Sequence, residues 1–295
     1  MNWPATHRSA ALLLVGCAVL WSSAGVLSRL LQVTEGFEMT FWRSFFCVLT
    51  MGVILAIQER GHLLRPVLAT GWMGVLSGLM WAVMFTCFML AISATPVANA
   101  LFVIGLSPLL AALLGRIVLG QQIRTRTWLA ISAAAVGIWW MVRGALSSDG
   151  IGGLLIATGV PIASAINLVM LRRLHARIDL APAVMIGALL SCLITLPWAW
   201  PFTAGTQDLL ILAILGAFQL ALPCWLMVRA MRHLAPHEAA LIALLEVVLG
   251  PLWVWLGVGE ATPAATLQGG VLVIGALALN ALTTSAAEPA TKRVT

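Results

Sequence analysis

Glu246, a carboxylate in the middle of an apolar run, is the first residue in this chain that could do chemistry. It is followed by Val247, Val248 and Leu249, and holding its charge in hydrocarbon costs on the order of 2.5–3.5 kcal/mol. A carboxyl so placed suits proton binding; the other reading is a group bonded to a neighbouring helix. Gln219, between Phe218 and Leu220, offers two donors and an acceptor, enough to hold an amino or carboxyl group. It could equally make an interhelical amide bond. Trp21, Trp81 and Trp225 fall inside apolar stretches, where an indole walls off an apolar side chain or faces a cation. Ser22, Ser23, Asn99, Ser164 and Asn167 add small polar groups, and Ser164 and Asn167, three apart, share one helix face. Such residues line a wet cavity or glue helices together; Asn99 could also cap its helix. These ten positions are the expected substrate-binding set.

Other residues carry less. Arg43 sits one turn inside an apolar stretch and can snorkel outward, towards Glu38, in a structural role; the lesser alternative is a substrate contact. Trp42, Trp72, Trp128, Trp139, Trp140, Trp198, Trp200, Trp253 and Trp255 fall towards stretch ends, as an interfacial belt would. Pro96, Pro108, Pro161, Pro223 and Pro251 stand at helix starts or inside helices, where each interior one removes a backbone bond. Gly74 and Gly78 form GxxxG, a close-packing signal. His233 and His237 are four apart, but no Glu follows His233 as in HExxH. The five cysteines lie far apart in apolar segments without CxxC spacing. With no GxSxG or Walker A sequence either, no metal, cofactor or catalytic residue is expected, and the chain does not read as an enzyme.

The elements that must position these groups follow from composition. Of 295 residues, 61% are hydrophobic and 9% charged, with a mean hydropathy of +1.03; a soluble domain carries about 25% charged residues. That excludes an ordinary cytosolic enzyme, a nucleic-acid-binding protein and a disordered scaffold. The net charge of +6 comes from basic residues set singly or in pairs between apolar runs, as in loops at an anionic membrane surface. Apolar runs predict spans near 11–31, 40–57, 68–92, 97–119, 127–143, 151–172, 182–200, 208–230, 238–258 and 264–284. Arg8 before Ala10–Leu20 resembles a signal peptide, but the run continues to Leu31 and reads as the first span.

Alternating the loops puts Arg8, Arg60, Arg65, Arg116, Arg124, Arg126, Arg172, Arg173, Arg177, Arg229, Arg232, Lys292 and Arg293 on one side. The other receives Arg29, Arg43 and Arg143, with Glu35, Glu38, Asp149, Asp208 and Glu260. The basic side is the cytoplasmic one, so both termini are expected inside. Ala91–Gln121 aligns with Ala230–Glu260 at a constant offset of 139 residues, Gly120 meeting Gly259. Five spans per half is an odd number, so repeats covering 1–145 and 146–295 must insert upside down relative to each other. The expected fold is an all-α membrane protein of ten transmembrane helices, two inverted five-helix repeats around a central cavity.

The chain resembles the EamA-type branch of the drug/metabolite transporter superfamily over nearly its whole length. The residues that carry this are Trp21-Ser22-Ser23, Phe41-Trp42-Arg43, Ser93–Leu119 with Ser107-Pro108, Ala235–Glu246 and Gly259-Glu260. Gln121 stands where the family's first repeat ends in Gly-Glu, and Val247 follows Glu246 where Pro is usual. The resemblance implies a cavity lined by helices 1, 3, 4, 6, 8 and 9, with 5 and 10 peripheral, and export of small metabolites, amino acids prominent among them. The expectation is therefore a secondary transporter of the inner membrane, working by alternating access on a small-molecule substrate, with lipids around it. An exporter of drugs or lipid-like amphiphiles is the near alternative and an intramembrane enzyme the distant one; the sequence leaves oligomeric state open.

Overall fold

The computed structural model describes residues 6–33, 35–61, 64–120, 125–145, 151–173, 181–230, 233–234 and 236–285. Gln121, Arg124, Asp149, Arg177, Arg232, Lys292 and Arg293 lie outside them, as do the side chains of Arg126, Arg143, Arg172, Arg173 and His237. The described residues are helical, with no strand. In chain order the long helices are α1 (His7–Arg29), α2 (Gly36–Gln58), α3 (Gly71–Ala94), α4 (Val97–Val118), α5 (Thr125–Ala145), α6 (Ile151–Met170), α7 (Ala181–Ala199), α8 (Thr206–Ala230), α9 (Pro236–Val258) and α10 (Ala264–Ser285). Seven of them, all but α5, α9 and α10, are long and apolar enough to cross a membrane. Those three carry shorter apolar stretches, Trp128–Gly137, Leu245–Val258 and Ala264–Ala276. A short helix, Leu64–Ala69, lies between α2 and α3.

Several helices are interrupted, each where the sequence removes or diverts a backbone bond. In α4 the break falls at Gly105–Leu106. Pro108 has no N–H to give the Ile104 carbonyl four residues back, and Ser107 Oγ donates to that carbonyl instead (2.7 Å). In α6 the break at Thr158 precedes Pro161. In α8 residues Leu215–Ala221 form a π-helix just before Pro223, a widening that suits a ring crowding the Gln219 carbonyl. α1 breaks at Ser23 without proline; there the Ser22 and Ser23 hydroxyls donate to the Val19 and Leu20 carbonyls (2.7 and 2.6 Å). Pro251 lies inside α9, whose helical assignment continues unbroken through it.

Close crossings are made through glycine. α7 packs on α2 and α3, and a Cβ at Gly187 would strike Trp81 Cβ and lie 2.8 Å from the Gly78 carbonyl oxygen. α5 and α10 pack mainly on each other, with Gly137 against the Gly269 carbonyl. Gly120 (φ 65°) and Gly259 (φ 71°) both take left-handed conformations at the ends of α4 and α9. Those two glycines are partners in the 139-residue register, and only glycine adopts that backbone freely.

The ends of the molecule differ. At the end carrying the acidic residues, each of three carboxylates holds backbone from another element. Glu38 accepts from the Thr203 and Ala204 amides (both 2.8 Å) and from Thr203 Oγ1 (2.7 Å). Asp208 accepts from the Gln32 and Val33 amides (2.8 and 3.2 Å). Glu260 accepts from the Val97 amide (3.3 Å) and pairs with Arg29 (2.6 Å). α9 packs on the Val97–Ile104 half of α4. That half, Val97–Val103, is buried throughout, whereas from Ile104 to Leu114 only Leu109 is.

Gly187→Leu should lower stability by about 1–3 kcal/mol through overpacking. It would be read as a lower thermal unfolding midpoint in detergent, whereas Gly152→Leu, with open space around it, should leave the midpoint unchanged.

Candidate substrate site

The site is built where α8 lies against α2. A Cβ on Gly216 would sit 2.5 Å from the Arg43 carbonyl oxygen, so the two backbones touch there. Three residues on, still within the π-helix, Gln219 meets the Arg43 guanidinium. Gln219 Oε1 accepts from Nε (3.2 Å) and Nη2 (2.9 Å) of Arg43, and Gln219 Nε2 donates to the Trp21 carbonyl (3.1 Å) beside the break in α1. Arg43 and Gln219 are each 2% exposed. Arg43 also stands 5.3 Å from the Phe88 ring centroid, a cation–π contact, and its Nη1 is sealed without a hydrogen-bond partner.

The expectation that Arg43 snorkels towards Glu38 is therefore corrected. Glu38 is saturated by Thr203 and Ala204, and the guanidinium turns inward to the one amide placed to receive it. The sequence reading ranked a substrate contact by Arg43 below a structural role and left it out of the expected set. The signal that could have found it was depth, since two turns of helix separate it from Gly36.

Glu246 lies on α9 beside the α4 contact: its neighbour Val247 meets α4 at Gly105, where a Cβ would be 3.4 Å from Val247 Cγ2. Among the described residues its side chain makes no hydrogen bond or ion pair, and the charge that acts on it is that of Arg43.

Trp21, Trp81 and Trp225 pack against one apolar cluster that includes Cys47, Met51, Phe85, Leu220 and Cys224. Trp81 Nε1 is buried without a partner. Trp225 is not midspan as its sequence position suggests. The Gln58 amide, turned to present its oxygen, accepts from Trp225 Nε1 (2.8 Å), and Arg229 stacks 4.2 Å over the ring, which ties Trp225 to the arginine-bearing end.

The remaining expected residues are not gathered here. Asn99 neither caps α4 by its side chain nor faces a vestibule: it is 4% exposed and accepts from Thr266 Oγ1 of α10 (2.7 Å). Ser22 accepts from Trp253 Nε1 (2.9 Å), a bond that joins α1 to α9. Ser23, with Val19, Leu20, Val26, Trp253, Leu256 and Gly257, lines an apolar groove of about 450 Å³ between α1 and α9, open to the side. Ser164 is partly accessible beside Asn167, whose Oδ1 is buried and unpartnered. Both lie on α6, which packs on α3 and α4. Trp42, assigned to the belt, packs among Phe41, Phe45, Phe46 and Phe202 with its Nε1 buried.

Apolar helices stacked around a buried guanidinium, seven of them long enough to cross a bilayer, make a multi-pass membrane protein. The sequence model of the EamA-like transporter family matches residues 8–143 and again 151–282, so the chain belongs to that family and is a transporter. It is similar to the pseudopaline exporter CntI of Pseudomonas aeruginosa in two strains, at 25% identity over 279 and 285 residues, spanning 90% of this chain and 94% of each relative. A crystal structure covering 96% of this chain and 99% of its own superposes with a TM-score of 0.67 at 20% identity, a likeness of fold.

Gln219→Leu should destabilise the protein by about 1.5–3 kcal/mol, because it strips the hydrogen bonds from a buried cation. The double variant Arg43→Leu/Gln219→Leu should recover part of that loss; thermal unfolding in detergent of the single and double variants checks it, and additive losses would contradict the coupling.

Proposed function

We propose that this transporter exports a small zwitterionic metabolite, amino acids foremost, across the inner membrane by alternating access. It crosses the membrane ten times as two inverted repeats, 1–145 and 146–295, with both termini on the cytoplasmic, arginine-rich side. The double match of the family model and the left-handed caps at Gly120 and Gly259 support the repeats. The distribution of Arg60, Arg65, Arg116 and Arg229 against Glu38, Asp208 and Glu260 supports the orientation. The exporter relatives support the outward direction.

One observation carries the substrate reading: Glu246, without a hydrogen bond or ion pair among the described residues, lies within electrostatic reach of Arg43. An ammonium group of the solute takes Glu246, and a carboxylate takes Nη1 of Arg43, which is sealed and unpartnered in this state and opens in the transport cycle, so each end of a zwitterion replaces a hydration shell with an opposite charge. Gln219 has its oxygen engaged by Arg43 and its nitrogen by the Trp21 carbonyl. Its role is to hold the guanidinium, and the solute contact expected of it passes to Arg43. Trp21 and Trp81 wall the apolar side of the chamber.

The lateral groove between α1 and α9 favours a second reading, an amphiphile drawn from the bilayer. Its apolar lining suits a chain more than a charged solute, and it lacks a buried charge among its lining residues.

Proteoliposomes loaded with a panel of amino acids and other metabolites, with and without a pH gradient, test both readings. The expected result is transport of zwitterions, lost by at least tenfold in Glu246→Ala, with pH-driven accumulation abolished in Glu246→Gln. An unchanged pH response in Glu246→Gln would remove proton coupling from this residue. Transport of amphiphiles alone would favour the groove.

A further inference from the structure

The ion pair between Arg29 and Glu260 joins more of the molecule than any other charged contact among the described residues. Arg29 Nε meets Glu260 Oε2 at 2.6 Å, Nη1 donates to the Ile92 carbonyl (2.8 Å) and Nη2 to the Thr95 carbonyl (3.2 Å). Glu260 Oε1 accepts from the Val97 amide. One guanidinium and one carboxylate therefore clasp the end of α1, the α3–α4 junction and the segment leaving α9. Beneath them the same three elements close tightly on each other: a Cβ at Gly25 would lie 2.6 Å from Val97 Cγ1 and 2.9 Å from Val254 Cγ2. Deeper still, Leu101 (3% exposed) lies where a Cβ on Gly250 would be, across the α4–α9 contact. The following stretch of α4 is less tightly buried, since from Ile104 to Leu114 all residues but Leu109 are partly exposed.

We propose that the Arg29–Glu260 pair is the latch of the acidic-end gate, and that it biases the resting carrier towards the state closed at that end. The bias has a sequence cause. In the 139-residue register the counterpart of Glu260 is Gln121, a neutral side chain that cannot supply the same ion pair to the opposite end. The side chains of Arg29 and Glu260 are 26% and 28% exposed, so the pair is partly screened by water and weak enough to open once per cycle. Breaking it should therefore shift the gate equilibrium and the turnover rate while leaving the solute's contacts at Glu246 and Arg43 in place. The proposal rests on the alternating-access reading for its role in transport, but its structural content is separate.

The experiment uses Leu101→Cys, sealed in the closed state, and a membrane-impermeant maleimide applied to the acidic-end face of the full-length protein in sealed vesicles. Labelling is read as the increment over the parent, whose own cysteines are buried apart from the half-buried Cys87. Adding Glu260→Gln should raise the labelling rate roughly fivefold. Glu35→Gln should not, because among the described residues Glu35 accepts only from the Phe37 amide of its own helix. An unchanged rate in folded Glu260→Gln, judged by its thermal unfolding, would overturn the latch, as would an equal rise in Glu35→Gln. Faster labelling without any solute transport by the parent would uphold the gate and sink the transport assignment, so the two failures are distinguishable.

Discussion

Hydrocarbon offers no partner to a polar group, so each such group inside the helices must be satisfied by protein or face a wet space. Arg43 shows what this demands. Its guanidinium is bound by one amide oxygen and one aromatic face, and both exist only because other features put them there. Gly216 lets α8 touch α2, the π-helix before Pro223 turns Gln219 inward, and the break at Ser23 brings the Trp21 carbonyl to the other side of that amide. Three helices are thereby locked at one depth by a single cation. The local irregularities of α1 and α8 look like defects in isolation, yet they are the geometry that a buried charge requires.

The same reasoning separates structural polar groups from available ones. Ser44, Ser191 and Thr86 form a hydroxyl chain linking α2, α7 and α3, Asn99 is spent on Thr266, and Ser22 on Trp253. All of these are the interhelical glue expected of small polar residues in a membrane. Glu246 stands apart because it has no hydrogen bond or ion pair among the described residues. The acidic residues at one end are different again: Glu38, Asp208 and Glu260 spend their oxygens on backbone amides, which stiffens that face.

Much of this was legible in the residues. Pro108, Pro161 and Pro223 stand next to the three irregular places in α4, α6 and α8, because a missing N–H has a local effect. Gly120 and Gly259 mark helix ends for an equally local reason, their backbone handedness. Glu246 was visible as a charge in an apolar run. Arg43 was visible too, but its direction was not. A helix that is apolar nearly all round has no amphipathic stripe to reveal its rotation, so the outward snorkel and the inward turn look alike from sequence. Asn99 was misplaced for the same reason, its amide oxygen going to Thr266.

The sequence by itself determined that this chain is a bundle of membrane helices with two like halves, since scarcity of charge and apolar run length are sums over residues and need no contacts. It also marked three of the irregular places, at Pro108, Pro161 and Pro223, though neither the break at Ser23 nor the unbroken course of α9 through Pro251. Only the tertiary structure decided which polar groups meet: Arg43 with Gln219 across 176 residues, Arg29 with Glu260 across 231. Partners so far apart are chosen by the rotation and depth of packed helices, and those are set by glycine contacts between helices that no local pattern encodes.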